Sequence, residues 1–139
     1  MTKKSTLLIL SICLVFISGC VSSGNTTSIT STGLFFDREG TKPTDKFDAR
    51  DIFYLVVSID QPVSDSILRA SWVAVETNRL APNTVLKIDE VIPTSSPVVF
   101  KLQNEGNFWP TGQYKVYLYQ DGKEFQVIDF EVFHDYFSE

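Results

Sequence analysis

At 139 residues the chain has room for one domain with a real core and too little for two, once its first 19 residues are set apart as a removable leader. With 12 Lys and Arg against 17 Asp and Glu, its net charge of -5 speaks against nucleic acid and against a polybasic grip on anionic lipid. Its only cysteines are Cys13 and Cys20, both expected to be lost to other fates, so stability has to come from packing, for which 11 Phe, 5 Tyr and 2 Trp supply large apolar side chains.

The first element is an export signal. Lys3 and Lys4 stand without a nearby acid, Leu7 to Ile17 is almost wholly apolar, and Ser18 and Gly19 are small residues before Cys20. The apolar run of 11 residues is far short of the roughly twenty that span a bilayer, so it reads as a signal over residues 1–19 rather than a permanent anchor. The segment Ile17-Ser18-Gly19-Cys20 resembles the lipobox of bacterial lipoproteins, an aliphatic residue, two small residues and an invariant cysteine. That resemblance implies a diacylglycerol on the Cys20 thiol, cleavage before Cys20 and, in many bacteria, acylation of the new amino group. At about 0.8 kcal/mol per buried methylene, two or three chains hold a protein stably where one does not. Removing residues 1–19 takes away two lysines and no acid, so 10 basic residues face 17 acids and the net charge falls to -7. Val21 follows Cys20 where an aspartate commonly marks inner-membrane retention in Gram-negative cells, so in such a cell the outer membrane is favoured.

Val21 to Gly33 is rich in Ser, Thr and Gly and reads, with Cys20, as a flexible linker over residues 20–33, holding the domain about 20 Å from the membrane. It contains the triplet Asn25-Thr26-Thr27, a glycosylation pattern that is also common in such linkers. From Leu34 the pattern is short β-rich runs divided by turn residues, with no helical period. Leu34 to Phe36 reads as a first strand, and Asp37 to Arg50, rich in Gly, Pro, Asp and Lys, as a connection. Phe53 to Ile59 alternates and is closed by Asp60 and Pro62; Leu68 to Trp72 alternates again. Val85 to Val91 and Val98 to Leu102 follow, separated by Pro93-Thr94-Ser95-Ser96-Pro97. Tyr114 to Tyr119 leads into Asp121-Gly122, a favoured two-residue hairpin turn, and Phe125 to Val132 returns as the last strand. Seven such strands predict an all-β fold, a single antiparallel β-sandwich over residues 34–139 without a disulfide.

Gly112-Gln113-Tyr114-Lys115-Val116 resembles the start of strand F in immunoglobulin-like domains. The resemblance implies that Tyr114 is a corner tyrosine, that Val116 stands where the disulfide cysteine is missing, that Trp72 is the core tryptophan of strand C, and that Leu55 or Val57 replaces the other cysteine. Asn107 to Tyr114, with Trp109-Pro110 ahead of Gly112-Gln113-Tyr114, also resembles the end of immunoglobulin-like domains in uncharacterised bacterial lipoproteins; this likeness implies a fold and no activity.

Chemistry is sparse. His134 is the only histidine and lies in the stretch Phe133 to Glu139, where a solvated tail residue is expected; a Ser-His-Asp site would need it, and a Cys-His site lacks a thiol. Zinc held by His and Cys is excluded by count. Asp45, Asp48, Asp51, Asp60, Asp65, Asp89, Glu90, Asp121 and Asp129 read as solvated acids at strand ends, with no calcium-loop spacing, so neither metal nor cofactor is expected. Tyr117 and Tyr119 alternate away from the core and so does Tyr54; were all three on one sheet, they would form a patch suited to protein or glycan contact. Phe108 and Trp109 either plug one end of the sandwich or form a loop-tip contact.

The function expected from these residues is that of a lipid-anchored cell-envelope lipoprotein, a non-enzymatic binding or structural module that meets the membrane through acyl chains on Cys20 and serves a protein partner. The alternatives are an envelope hydrolase or sugar-processing protein with an acidic cleft or His134 at its centre, and a protease-inhibitor-like lipoprotein using the Leu80 to Asn83 or Asn104 to Asn107 turn.

Overall fold

The computed structural model describes residues 27–136. The signal, the lipobox with Cys20, and the first part of the expected linker lie outside the described residues. Eight strands follow in order: β1 (Ile29–Phe35), β2 (Lys46–Asp48), β3 (Phe53–Ile59), β4 (Leu68–Thr77), β5 (Thr84–Val91), β6 (Val98–Leu102), β7 (Gly112–Gln120) and β8 (Lys123–Phe133). They form two sheets, one in the order β1-β3-β6 and one in the order β2-β8-β7-β4-β5. This is the all-β sandwich expected, and no cysteine lies among the described residues.

Two details depart from the expectation. The fold has eight strands rather than seven, because Lys46–Asp48 in the expected connection adds a short strand parallel to the end of β8, with Phe47 opposite Val132. Three residues carry too little periodicity to be read as a strand, yet Phe47 is completely buried there. The second departure is the linker: β1 begins at Ile29, not Leu34, so residues 29–33 are strand, and Thr27 ahead of them is already buried. Ser and Thr hide this because an edge strand draws its hydrogen bonds from the backbone, here antiparallel to β3, while its outward side chains stay in water.

The pleat explains the core. Phe53, Leu55, Val57 and Ile59 of β3 share one face with Val98, Phe100 and Leu102 of β6, and this face meets Leu68, Ala70, Trp72 and Ala74 of β4 and Tyr114, Val116 and Leu118 of β7. Trp72 is opposite Val116 across β4 and β7, so the two side chains are neighbours in the core. Val56 points to the other side and is nevertheless buried, because the loop after β1 folds across it at Gly40. The β7–β8 turn is of the expected kind, with Asp121 at φ 51° and Gly122 at φ 81°, both positive as a type I′ turn demands.

Tyr114 is a tyrosine corner. Its hydroxyl donates to the carbonyl of Pro110, four residues upstream, and its ring stacks on Phe130 at 5.3 Å. Gly112 makes the corner possible: its φ is 146°, and a Cβ there would lie 2.1 Å from the Glu76 carbonyl oxygen on the paired strand. A Gly112→Ala variant must move β4 backbone and is expected to lose about 3 kcal/mol or more, read as a lowered urea midpoint.

Burial pushes the Tyr114 phenol up to about 12 from its ordinary 10. A raised folded-state pKa means the neutral phenol stabilises the fold fully below pH 10, and this contribution is lost as pH rises from 10 through 12. Tyr114→Phe leaves the Pro110 carbonyl without its partner, which costs about 1–3 kcal/mol at neutral pH. It is also expected to flatten the alkaline limb of a stability–pH curve; an unchanged limb in that variant would contradict the assignment.

Candidate functional site

One end of the sandwich gathers the turn after β2, the β4–β5 and β6–β7 loops, and the stretch that follows β8. Ala49 ties them together: its N–H donates to the Phe133 carbonyl at 2.7 Å, and its own carbonyl accepts the Trp109 N–H at 2.8 Å. Trp109 is thereby pressed inward, 9% exposed, with its ring 5.6 Å from Phe53 of the core. Its neighbour Phe108 is turned outward and 51% exposed. Of the two roles considered for this pair, Trp109 takes the plug and Phe108 takes the surface.

Phe108 is exposed and held. Its carbonyl accepts from an Arg79 guanidinium nitrogen at 2.7 Å, and its ring lies 4.9 Å from the His134 ring, which in turn meets Tyr136 edge-on at 4.4 Å. On one side of Phe108 is a recess of about 350 Å³ lined by Asn78, Thr111, Trp109, His134 and Tyr136. On the other is a second of about 370 Å³, lined by Leu80, Leu86, Asn104, Asn107 and Pro110. Arg79, Phe108 and Trp109 border both, so Arg79 and Phe108 form a ridge between two hollows. Amides, a guanidinium and a hydroxyl around apolar rings suit a ligand or partner surface that is partly apolar and hydrogen-bonding.

His134 was expected in a solvated tail, and it is not there. The β8 strand runs on to Phe133, and the next residues fold back because the Asp135 N–H donates to the Asp48 carboxylate at 3.1 Å. His134 Nδ1 then sits 3.9 Å from that carboxylate, too far for a hydrogen bond. Burial pushes the Asp48 carboxyl up, but hydrogen bonds from the Arg50 guanidinium (2.8 Å) and from the Asp135 and Arg50 N–H groups outweigh it and hold the group at about 2. Its lowered pKa means that the clamp is intact above about pH 4 and lost as pH falls toward 2. Asp48→Asn removes the charged acceptor, and the Asp135 amide is expected to exchange about tenfold faster by NMR, with shifted His134 and Tyr136 ring signals. Wild-type exchange in that variant would show that the carboxylate is not what holds the stretch.

The tyrosines do not form one patch. Tyr117 and Tyr119 lie on the outer face of the five-stranded sheet, rings 6.4 Å apart, with the Arg69 guanidinium 4.3 Å over Tyr119. Tyr54 belongs to the three-stranded sheet, where it faces Lys101 on the opposite side of the molecule. Alternation gives the side of a strand to which a residue points, but not which sheet the strand joins. The Tyr117 face continues instead through Ser71 to Ile88, 56% exposed, and on the other side to Val127. Among the described residues no group of three or more His, Cys, Asp or Glu side chains could hold a metal, and no helix is long and apolar enough to cross a membrane.

Arg79, Asn78 and Tyr136 were not foreseen as site residues. Tyr136 left one signal, an aromatic ring in a stretch otherwise taken as solvated; Arg79 and Asn78 left none, since any polar residue suits a β4–β5 turn.

No family model matches the chain, and no curated protein matches it. Solved structures resemble its fold. One is the alkylpurine DNA glycosylase AlkC of Pseudomonas fluorescens bound to DNA, at TM-score 0.50 and 8% identity, covering 80% of this chain and 31% of that one. Another is a β-glucosidase from Listeria innocua in complex with glucose, at TM-score 0.50 and 11% identity, covering 79% of this chain and 16% of that one. This chain spans under a third of either protein, and at such identities the likeness is one of fold alone.

Proposed function

We propose that the protein is a lipoprotein of the cell envelope, anchored outside the cytoplasm by acyl chains on Cys20, whose sandwich is a non-enzymatic binding module for a protein partner. The lipobox-like Ile17-Ser18-Gly19-Cys20 supports the anchor, and in a Gram-negative cell Val21 favours the outer membrane. The observation that carries the binding role is Phe108, an exposed ring whose position is set by Arg79 on one side and His134 on the other. A pre-positioned aromatic beside an arginine loses little entropy on contact, and such residues carry much of the energy of protein interfaces. The Tyr117, Tyr119 and Ile88 face is the second contact surface.

Protein purified from its native host after detergent extraction tests both halves. Intact mass should show the loss of residues 1–19 and added lipid. A partner cross-linked at wild type should be recovered at least about tenfold less with Phe108→Ala or Arg79→Ala, at unchanged melting temperature. An unmodified start at Met1 would overturn the anchor, and equal recovery with both variants would overturn the Phe108 surface.

One observation favours a hydrolase as the second reading: His134 lines a recess with the Asp48 carboxylate behind it. It requires turnover of an ester or glycoside by purified protein that disappears in His134→Gln, and absence of turnover across such a panel removes it.

A further inference from the structure

We infer that the membrane-tethered protein has a fixed polarity: the end built from the β3–β4, β5–β6 and β7–β8 connections faces the bilayer, and the Phe108 ridge faces away from it, toward partners that approach through the aqueous space. This rests on lipidation at Cys20, and adds to it an orientation that the anchor alone does not impose.

The observation is how the chain enters the fold. Thr27 is 1% exposed and held from three sides. Its N–H donates to Ser66 Oγ at 3.4 Å, its hydroxyl accepts the Val63 N–H at 3.0 Å, and its carbonyl accepts from the Gln120 side-chain amide. The next carbonyl, of Ser28, accepts the Asp60 N–H at 2.8 Å. Val63 and Ser66 belong to the β3–β4 connection and Gln120 ends β7, so the entry point is welded to one end of the sandwich. That connection is itself tied to the β7–β8 turn, since the Ile67 N–H donates to the Asp121 carboxylate at 2.8 Å and the Asp121 N–H to the Ile67 carbonyl at 2.9 Å.

Two lengths then exclude the inverted pose, with the Phe108 end on the bilayer. Only residues 21–26 separate Cys20 from Thr27, and seven residue steps reach at most about 25 Å when fully extended. The recess lies at the other end of β7, beyond Gly112, and the nine residues of that strand span about 30 Å. Laying the Phe108 end on the membrane would lift Thr27 further than the tether extends. A free linker running to residue 33, as the composition suggested, would have permitted that pose; the burial of Thr27 and the pairing of β1 forbid it.

The connections at residues 60–67, 92–97 and 121–122 carry Asp60, Asp65 and Asp121, with Lys123 beside them at the start of β8, so charge does not draw this end onto anionic headgroups and the tether alone sets the polarity. The Phe108 ridge is left clear of lipid, as a surface for a partner from the aqueous side must be.

The test supplies the anchor chemically, so that its outcome is separate from whether cells lipidate the protein. Residues 20–139 contain one thiol, Cys20, which can be coupled to a maleimide-headgroup lipid in nanodiscs that also carry a gadolinium-chelate lipid. Relaxation enhancement of backbone amides should be more than about tenfold larger at Val63, Asp65 and Asp121 than at Arg79, Asn104 and Gly106, given that the two ends lie about 30 Å apart. Equal enhancement at the two ends, or the reverse order, overturns the inference while leaving lipidation to the mass of the native protein. A native protein without lipid would overturn the anchor, and the cellular orientation with it, whatever the nanodisc result.

Discussion

Phe53 is the residue through which the sandwich and its Phe108 end depend on each other. It projects from β3 between the sheets and meets Phe47 at 4.6 Å, Phe130 at 5.4 Å, Trp109 at 5.6 Å and Tyr114 at 6.3 Å. With no cysteine among the described residues, no disulfide holds one sheet against the other, and the contact of large rings takes that place. Rings bury more area than aliphatic side chains and add a further geometric preference of about 0.5–1.5 kcal/mol per pair. Because Trp109 is part of the same cluster, the loop that carries Phe108 is held by the core and not only by its own hydrogen bonds.

The two ends of the molecule are built by different means. At the Phe108 end, backbone hydrogen bonds through Ala49, the Asp48 clamp and stacked rings converge to make a shaped surface. At the Thr27 end, hydroxyl and amide contacts close the entry of the chain. In the proposed function the first is the recognition end and the second the attachment end, a division that follows from where β1 joins the fold. The paired Tyr117 and Tyr119 rings lie on the outer face of the five-stranded sheet, with Arg69 over Tyr119 next to the Thr27 end.

Much of the fold was legible because it rests on local pattern. The alternation in Phe53 to Ile59 and in Val98 to Leu102 coincides with β3 and β6 to the residue, and Gly112-Gln113-Tyr114 announced the corner through a conformation that only glycine accepts beside β4. The two stretches that differ do so for different reasons. The start of β1 is an edge strand paired through its backbone, so its Ser and Thr side chains report solvent rather than strand, whereas β2 is only three residues long, too short for alternation to register although Phe47 is buried. Candidate residues were legible in proportion to their hydrophobicity: Phe108 and Trp109 were found as a pair, whereas Arg79 and the placement of His134 depend on contacts between loops far apart in sequence. Tyr54 was misgrouped because sheet membership is a property of topology.

The most direct measurement of the central claim is a double-mutant cycle between Phe53→Leu and Trp109→Leu, read from urea unfolding of residues 20–139. If the ring cluster carries the Phe108 end, the two losses are coupled by about 0.5–1.5 kcal/mol, and each single variant loosens protection of the Trp109 amide, which donates to the Ala49 carbonyl. Additive losses with unchanged protection at Trp109 would contradict it, and would mean that the end of the sandwich holds its shape independently of the core.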